Sequence, residues 1–474
     1  MGNLIKTDLC VIGAGSGGLA VAAGAVQMGA EVVLIEQGKM GGDCLNYGCV
    51  PSKALIAAGK AAHTIRSAGR FGVNGHEPAI DFPAVHAHVH GVIAGIAPHD
   101  SQERFEGLGV KVIRARARFT GPQEVEAGGA RIRARRFVVA TGSSPAVPPV
   151  PGLAEMPYLT NETVFDLTER PEHLIVIGGG PIGCELAQAH RRLGARVTLL
   201  ERFSILPKDD PAAVEVVRHH LLAEGIDLRE QVEITEVARQ GNGIAVTLNE
   251  GEFRQRITGS HVLVAAGRRA NVDDLGLEAA GIEHSARGIQ IDDRLRTSNK
   301  RVFAIGDVAG GFQFTHMAAY HAGIVIRNAL LKLPAKVDER AVPWVTYTAP
   351  ELAHVGLTEI MAKDRGVALS PLTWPFADND RAQAERATAG FVKALVDRRG
   401  RVRGATIVGE HAGELIQPWA LAVGQGLKIG ALAQLIAPYP TLGEASKRAA
   451  GSFYTPTLFG PRTRKIVRFL QRFS

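Results

Sequence analysis

The sequence predicts an α/β fold, with two similar parts of alternating strands and helices and a third part of another kind. The first observation is length, since 474 residues correspond to about three domains of ordinary size. The second is composition, because 46% hydrophobic and 21% charged residues are typical of a globular protein. The third is the glycine content, since 55 of the 474 residues are glycine, well above the usual share of about 7%, and this indicates many tight turns. This composition excludes a disordered chain, a collagen and a disulfide-stapled secreted fold.

An internal repeat supports the two similar parts. The segment VIGAGSGG places three glycines after an apolar run, and VIGGGPIG does the same 165 residues later. The segments MGAEVVLIE and LGARVTLLE then follow at the same offset, and each ends in an acid. The paired positions are Gly13, Gly15, Gly18 and Glu36 in the first copy, and Gly178, Gly180, Gly183 and Glu201 in the second.

Each copy has the full pattern of a Rossmann-like dinucleotide-binding domain. A β-branched strand precedes the glycines, a helix of small residues follows them, and a second strand ends in the acid. The first glycine makes a tight turn, the second lets the backbone approach a pyrophosphate, and the third packs the helix on the strand. The phosphates bind at the helix N-terminus and the acid accepts hydrogen bonds from a ribose diol. The sequence therefore predicts two dinucleotide sites.

Further strand-like segments extend these parts. Arg136–Pro145 and His261–Asn271 are similar to each other, as each is an apolar strand that closes on glycine. Asp307 follows another apolar strand in VFAIGDVAG, and a proline cluster over Pro145–Pro151 indicates a boundary. From about Val342 the glycine motifs stop. The alternating strands and helical patterning beyond that point predict a last domain of the α+β class.

The four cysteines indicate a reducing compartment and one reactive pair. Cys44 and Cys49 are separated by four residues, just before Pro51, a residue that suits the first turn of a helix. A helix N-terminus lowers a thiol pKa, and Lys53 adds positive charge one turn further along. We therefore predict a redox disulfide. Zinc is the alternative, but it normally needs four ligands and no second pair is in view.

These motifs resemble those of the class I pyridine nucleotide–disulfide oxidoreductases, the family of dihydrolipoamide dehydrogenase, glutathione reductase and mercuric reductase. The resemblance rests on GGDCLNYGCVPSK, the two glycine fingerprints, the ATG and GD motifs and YTAPELAHVGLTE, and it covers essentially the whole chain. It implies an FAD-dependent homodimer that takes hydride from NADH or NADPH and passes electrons through the Cys44–Cys49 disulfide. The implied domains are 1–150 (FAD-binding, first part), 151–272 (NAD(P)-binding), 273–341 (FAD-binding and central, second part) and 342–474 (interface, or dimerisation).

The same resemblance implies roles for individual residues. Cys49 would contact the flavin as a thiolate, and Cys44 would be the exposed thiol that meets the substrate. Lys53 and Glu185 would form an ion pair beside the flavin. The residues implied at the FAD site are Gly13, Gly15, Gly18, Glu36, Lys53, Thr141, Gly142, Asp307 and Thr315. Those implied at the NAD(P) site are Gly178, Gly180, Gly183, Glu201 and Gly267.

Two positions depart from the family pattern. Disulfide-reducing members carry His-Pro-Thr…Glu near the C-terminus, where the His is the acid–base partner of the thiols. This chain has APYPTLGE, with Tyr439 at the His position and Glu444 at the Glu position. Because tyrosine titrates near 10 and histidine near 6.5, Tyr439 is predicted to be a poor base at neutral pH. Asp43 stands where the family usually has Thr, and its charge is predicted to raise the pKa of the neighbouring Cys44.

The electron acceptor stays open between alternatives. A tyrosine at position 439 resembles mercuric reductase and favours a soft metal ion, although no cysteine follows Cys184, whereas that enzyme has a C-terminal pair. A small disulfide is the other acceptor, with dihydrolipoyl dehydrogenase as the alternative enzyme. A redox-sensing or scaffolding flavoprotein with little turnover is an alternative of another class. Glu201 favours NADH by repelling a 2′-phosphate, whereas Arg202 would pair with that phosphate.

Other features predict no catalytic role. A net charge of +7 on a chain this long does not indicate a nucleic-acid partner, and the absence of a signal peptide predicts a cytoplasmic protein. The HxHxH run of His86, His88 and His90 is interpreted as solvated helix surface, with no metal, and Cys10 and Cys184 as core residues. After Pro461 the tail is basic and amphipathic, which is compatible with weak contact to an anionic membrane surface or with a terminal helix that caps the dimer or trails free.

Overall fold

The computed structural model describes residues 4–473 and has the mixed α/β architecture that the sequence predicts. The chain divides into two compact units. One contains the residues up to Arg202 together with Arg229–Val337, and the other contains Phe203–Leu228 and the chain from Asp338 onward. Within the described range, no helix is both long and apolar enough to cross a membrane.

The first part of the chain is organised around a parallel sheet. Its elements are β1 (Leu4–Ile12), α1 (Ser16–Gln27), β2 (Val32–Glu36), α2 (Gly42–Asn46), α3 (Cys49–Ser67), α4 (Phe82–Ile96), α5 (Gln102–Gly107), β3 (Lys111–Arg114), β4 (Ala117–Gly121), β5 (Glu124–Ala127), β6 (Ala130–Val139) and β7 (Ser143–Pro145). Strands β3, β2, β1 and β6 are parallel neighbours in that order. Strands β5 and β4 continue the sheet from β6 as an antiparallel meander.

The next part repeats the same strand–helix–strand unit. Its elements are β8 (His173–Ile177), α6 (Pro181–Arg192), β9 (Arg196–Leu200), α7 (Pro211–Ala223), β10 (Asp227–Arg229), β11 (Val232–Gln240), β12 (Gly243–Glu250), β13 (Phe253–Gly259), β14 (His261–Val264) and β15 (Arg268–Ala270). Strands β9, β8 and β14 are parallel, and β10 lies beside β9. Strands β11, β12 and β13 form a separate antiparallel sheet.

The internal repeat is confirmed in the backbone. Helices α1 and α6 both begin and end 165 residues apart. The turn before each helix uses a glycine with positive φ, which is +104° at Gly13 and +111° at Gly178. A Cβ atom on Gly18 would lie 1.8 Å from the Gly13 carbonyl oxygen, and one on Gly183 would lie 1.8 Å from that of Gly178. Only glycine therefore allows helix and strand to approach this closely.

A small ribbon connects the ends of the two repeats. Strand β7, which follows β6, pairs antiparallel with β15, which follows β14. The chain then continues through β16 (His284–Ser285), β17 (Gly288–Ile289), β18 (Val302–Ala304) and α8 (Thr315–Ala329). Strand β18 is parallel to β6, so the chain has returned to the first sheet. Short 3₁₀ turns lie at Ala68–Phe71, Ala97–Asp100, Val164–Asp166, Gly306–Ala309 and Phe376–Asp378.

The second unit contains the α+β domain predicted beyond Val342. Its remaining elements are β19 (Pro343–Thr346), β20 (Glu351–Gly356), α9 (Glu359–Asp364), β21 (Ser370–Pro375), α10 (Asp380–Ala384), β22 (Phe391–Val396), β23 (Val402–Gly409), α11 (Ala412–Leu415), α12 (Gln417–Gly424), α13 (Gly430–Ala433), α14 (Glu444–Ser452), α15 (Thr455–Leu458) and α16 (Pro461–Leu470). The strands form an antiparallel sheet in the order β19-β20-β23-β22-β21. Trp419 is fully buried against this sheet and donates a hydrogen bond to Ser446 Oγ at 3.0 Å.

The HxHxH run and the two cysteines interpreted as core residues have the predicted structure. The HxHxH run lies in helix α4, with the rings of His86 and His90 4.2 Å apart and His88 exposed. Cys10 and Cys184 are completely buried. In the part of the chain that the structure describes, no group of three or more His, Cys, Asp or Glu side chains is arranged to hold a metal ion.

One histidine is buried without polar contacts. His190 lies in α6, is completely buried, and has no hydrogen-bond partner for either ring nitrogen among residues 4–473. Its ring stacks on Phe82 with a centroid distance of 6.3 Å. Burial, with a smaller effect from His261, lowers the pKa of His190 to about 4. The folded state therefore favours the neutral ring.

We predict that His190 makes the fold sensitive to acid. The histidine takes up a proton near pH 6.5 in the unfolded chain but only near pH 4 in the folded one. The stability that comes from burying the neutral ring is therefore complete above pH 6.5 and is lost as the pH drops towards 4. The loss approaches about 3 kcal/mol of unfolding free energy. Between pH 7 and pH 4, Tm should fall clearly less in His190→Leu than in the wild type or in His88→Gln, a control on exposed helix surface. Equal decreases in all three proteins would contradict the prediction.

Candidate active site

The two glycine loops are each closed by the acid that ends the second strand. Glu36 accepts hydrogen bonds from the backbone N–H groups of Ala14 and Gly38, both at 2.6 Å. At the equivalent place Glu201 accepts from the N–H of Gly179, also at 2.6 Å. In both copies a carboxylate therefore lies beside a helix N-terminus lined by backbone. This arrangement fits a nucleotide, whose phosphates bind the N–H groups and whose ribose binds the acid.

Helix α2, the redox helix that carries Cys44, packs directly on the first glycine loop. A Cβ atom on Gly42, the first residue of α2, would lie 2.7 Å from Gly15 Cα, and Gly42 has φ of +60°. This close approach positions Cys44, in α2, beside the loop. Ser16, at the start of α1, forms a side-chain hydrogen bond with Cys44. The loop predicted to bind one dinucleotide and the predicted redox pair are therefore adjacent.

Cys49 is the first residue of α3 and is the more acidic thiol. Its pKa is lowered to about 6, mainly by the hydrogen bond from Cys44. Thr315, the first residue of α8, also contributes, since its Oγ1 lies 3.4 Å from Cys49 Sγ, and Lys53 adds a favourable charge. Partial desolvation and the charge of Asp43 act in the opposite direction. The net result is a thiolate at neutral pH.

Cys44 retains its proton in the same state. The hydrogen bond with Cys49 and burial raise the pKa of Cys44, so the pair ionises first at Cys49. Cys44 lies within α2, where it has side-chain hydrogen bonds with Ser16 and Thr315, whereas Cys49 is the first residue of α3.

Lys53 and Glu185 form the expected ion pair. Lys53 Nζ lies 2.8 Å from Glu185 Oε2, and the Glu185 side chain is only 6% exposed. The pair joins α3 to α6, which pack so closely that a Cβ atom on Gly59 would lie 3.3 Å from the Ala189 carbonyl oxygen. Breaking such a pair leaves a buried charge without compensation, so the two residues depend on each other.

Asp307 is held in a polar network after strand β18. Ser143 Oγ donates to Asp307 Oδ2 at 2.5 Å, and Arg268 Nε donates to Ser143 Oγ at 2.7 Å. Burial raises the pKa of Asp307, although the Ser143 hydrogen bond and Arg268 counteract it. Arg268 Nη2 also lies 3.2 Å from Asp43 Oδ1, which accepts a further hydrogen bond from Asn161 Nδ2 at 3.1 Å. The network connects the β7–β15 ribbon to the redox helix.

The charge of Asp43 acts on the second cysteine of the pair. The sequence predicts that Asp43 raises the pKa of Cys44, and in the structure its charge raises the pKa of Cys49. The cause is the direction of the side chain, since a Cβ atom on Gly48 would lie 2.9 Å from Asp43 Oδ2. The carboxylate thus lies over the residue that precedes Cys49, and Arg268 offsets part of its charge.

The remaining predicted cofactor residues lie around the β7–β15 ribbon. Thr141 Oγ1 donates to the Asn271 carbonyl oxygen at 2.8 Å, so this hydroxyl fastens two loops together. Gly142 and Gly267 have φ of +70° and +127°, and a Cβ atom on either would have no other atom within 4 Å. Space and backbone conformation therefore suit an approaching ligand at both positions.

Tyr439 and Glu444 lie in the second unit, whereas both redox cysteines lie in the first. Tyr439 is 70% exposed, and its hydroxyl donates a hydrogen bond to Asp380 Oδ2 at 3.1 Å. This hydrogen bond and the Asp380 charge raise the pKa of Tyr439 further above its ordinary value. Glu444 is the first residue of α14. The phenol therefore stays protonated at neutral pH, which makes it a poor acceptor for a thiol proton.

Comparison with known proteins agrees with this geometry. Residues 7–322 match the family model described as pyridine nucleotide-disulphide oxidoreductase, and residues 342–450 match the dimerisation domain of the same family. The chain belongs to the pyridine nucleotide-disulphide oxidoreductases. Like its family, it is an FAD-dependent oxidoreductase that uses NAD(P)H and a redox-active disulfide. The dimerisation domain supports a homodimer.

Several characterised members of this family are similar over nearly their whole length. A mercuric reductase from Streptomyces lividans is 38% identical, with 94% of this chain and 96% of the relative covered. A dihydrolipoyl dehydrogenase from Thermus scotoductus is 36% identical, with coverage of 94% and 97%. Among solved structures, the Cu(II) complex of the flavoprotein disulfide reductase RclA from Escherichia coli has a TM-score of 0.83 at 27% identity, with coverage of 93% and 98%.

Sequence reasoning missed several residues of this oxidoreductase site. Ser16 contacts Cys44, and Thr315, predicted only as an FAD residue, contacts Cys49 directly. Arg268 and Asn161 bind Asp43. Ser16 lies inside the glycine fingerprint and Arg268 directly follows Gly267, so proximity to those motifs was the available signal.

We predict that the Thr315 hydroxyl stabilises the Cys49 thiolate. In Thr315→Val the Cys49 pKa should rise by about one unit, because a hydrogen bond to a charged group is lost. The pH dependence of iodoacetamide alkylation, followed for the Cys49 peptide of the reduced protein by mass spectrometry, measures this shift. Thr64→Val is the matched control, since Thr64 lies in the same helix as Cys49 but donates to the Lys60 carbonyl oxygen. An unchanged midpoint in Thr315→Val would refute the assignment.

Proposed function

We propose that this oxidoreductase uses NADH to reduce a soft metal ion, of the Hg(II) or Cu(II) kind, through Cys44 and Cys49. The observation that carries the proposal is Tyr439, whose phenol is bonded to Asp380 and has a raised pKa where disulfide-reducing relatives have a histidine. The similarity to mercuric reductases and to a protein solved as its Cu(II) complex supports the same acceptor class.

The proposed cycle balances with one hydride and one acceptor. When bound, FAD supplies the relay of two electrons between nicotinamide and sulfur. Hydride from NADH cleaves the Cys44–Cys49 bond and leaves one thiol, one thiolate and NAD⁺. The metal ion then takes two electrons from the sulfurs, the disulfide re-forms, and the Cys44 proton is released. One Hg(II) becomes Hg(0), or two Cu(II) become two Cu(I).

The ionisation of the cysteine pair suits a soft cation. Cys49 is already a thiolate near pH 7 and is a soft ligand. Binding of the metal ion displaces the proton from Cys44, because metal coordination drives thiol deprotonation. No separate base is required for this step. Thiol–disulfide exchange, in contrast, needs a group that returns a proton to the leaving sulfur, and Tyr439 is poorly suited to that task.

The individual sites are assigned as follows in this proposal. Residues 1–150 and 273–341 hold FAD, 151–272 hold NAD(P)H, and 342–474 are the interface (dimerisation) domain. Gly13, Gly15, Gly18, Glu36, Thr141, Gly142, Asp307 and Thr315 contact FAD, and Gly178, Gly180, Gly183, Glu201 and Gly267 contact the nicotinamide nucleotide. The Lys53–Glu185 pair holds a positive charge next to Cys49 and the flavin. The enzyme is proposed to act in the cytoplasm.

Dihydrolipoyl dehydrogenase is the second candidate function. It is favoured by Glu444, which occupies the position of the family Glu, and by relatives of that name at 36% and 34% identity. It requires rapid turnover of lipoamide in spite of Tyr439. The acceptor therefore separates the two candidates.

We predict that the purified FAD-loaded enzyme oxidises NADH with Hg(II) in excess thiol and turns over lipoamide slowly. Tyr439→His should raise lipoamide turnover by about a hundredfold, the usual contribution of a positioned acid–base group. Tyr439→Phe is the matched control, since it removes the hydroxyl without supplying a base, and should give no gain. Cys44→Ser should abolish reduction of both acceptors. Fast wild-type lipoamide turnover together with no Hg(II) reduction would establish the second candidate instead.

We also predict a preference for NADH that depends on Glu201. In Glu201→Ala the kcat/KM for NADH should fall by about tenfold, because a charged acceptor of ribose hydrogen bonds is removed, while NADPH is spared or gains. The ratio of the two kcat/KM values is the readout, since distortion of the loop would affect both coenzymes. Glu252→Ala, an exposed acid in the turn before β13, is the control. An unchanged ratio would remove Glu201 as the determinant.

A further inference from the structure

The C-terminal helix α16 separates apolar from cationic side chains. The apolar residues recur with the spacing of one helix face, and four of the five cations occupy the other side, whereas Arg462 in the first turn lies on the apolar side. The apolar face, extended past the helix end, consists of Ile466, Phe469, Leu470 and Phe473, and the cationic face consists of Arg464, Lys465, Arg468 and Arg472. All eight side chains are exposed in the chain.

The apolar face forms a continuous exposed patch. Phe469 is 57% exposed and Phe473 is 75% exposed, and their rings contact each other edge to face at a centroid distance of 5.1 Å. Ile466 and Leu470 beside them are 58% and 59% exposed. Large clustered apolar groups in water favour burial against a further surface.

The charge of the segment restricts what that surface is. Residues 461–473 contain five cations, at 462, 464, 465, 468 and 472, and no acid, in a chain whose net charge is +7. The segment also lies beyond residue 450, where the match to the family's dimerisation domain ends. A partner that complements both faces must present negative charge and an apolar layer together. A nucleic acid supplies only the charge, whereas an anionic lipid surface supplies both.

We propose that α16 and the residues to Phe473 bind the surface of an anionic membrane. The helix lies in the plane of the surface, with Phe469 and Phe473 inserted among the acyl chains and the arginines against the lipid phosphates. This membrane binding does not involve electron transfer at the cysteines, so the proposal does not depend on which electron acceptor the enzyme uses.

Flotation of the FAD-loaded enzyme with vesicles tests the proposal. The wild type should float with phosphatidylcholine vesicles that contain phosphatidylglycerol, and much less with phosphatidylcholine alone. Arg464→Gln/Arg468→Gln/Arg472→Gln should lower partitioning by about a hundredfold. Phe469→Ser/Phe473→Ser should lower it by about tenfold, since it keeps every cation. NADH oxidation in solution, measured in parallel, should stay at the wild-type rate in both variants and so verify the fold.

Strand β13 provides a matched control, because it presents Phe253 at 74% exposure beside the exposed cations Arg254 and Arg256. Phe253→Ser/Arg254→Gln/Arg256→Gln removes an aromatic ring and two charges outside the helix and should float like the wild type. Three results would overturn the proposal: no flotation of the wild type on anionic vesicles, equal loss in this control, or binding to a DNA duplex that needs the arginines but not the phenylalanines. A chain ending at Gly460 that becomes monomeric, with flotation absent in the wild type, would identify α16 as a dimer contact.

Discussion

The chemistry of this fold depends on the interactions that stabilise a thiolate at Cys49. Cys49 is the first residue of α3, and the hydrogen bond from Cys44 is the largest single cause of its lowered pKa. Thr315 reaches the same sulfur from α8, more than 250 residues away in sequence. The first repeat, the redox helix and the returning part of the chain must therefore all fold together before one acidic thiol exists. Without the hydrogen bonds from Cys44 and Thr315, Cys49 would have the pKa of an ordinary thiol.

The duplicated glycine turn explains how the surrounding structure meets this requirement. In both copies the third glycine allows the helix to pack against the turn at a distance that no side chain permits. Only the first copy adds α2 and α3, which begin where Gly42 packs on Gly15. The second copy contributes α6 instead, and its Glu185 compensates Lys53 of α3. One repeat thus carries the sulfurs, and the other supplies the carboxylate that keeps a positive charge beside them.

Motifs with strict local geometry could be predicted from the sequence, whereas contacts between distant segments could not. The 165-residue repeat, the redox pair at a helix start and the Lys53–Glu185 pair follow from glycine turns, helix capping and the family resemblance. The direction of the Asp43 side chain could not be predicted, because it depends on Arg268 and Asn161, which no spacing links to it. The hydrogen bond between Tyr439 and Asp380 likewise could not be predicted, because the two residues are 59 positions apart and no sequence pattern relates them.

The β7–β15 ribbon has a consequence for how such a chain is assembled from parts. Pro145 and Arg268 are paired neighbours across the ribbon, so the chain between them starts and ends at almost the same point. Adjacent ends are the geometry that exchange of a whole module requires. Phe203–Leu228, however, lies within that segment and belongs to the second unit. A coenzyme module exchanged at these two positions would therefore also replace α7, a helix of the second unit.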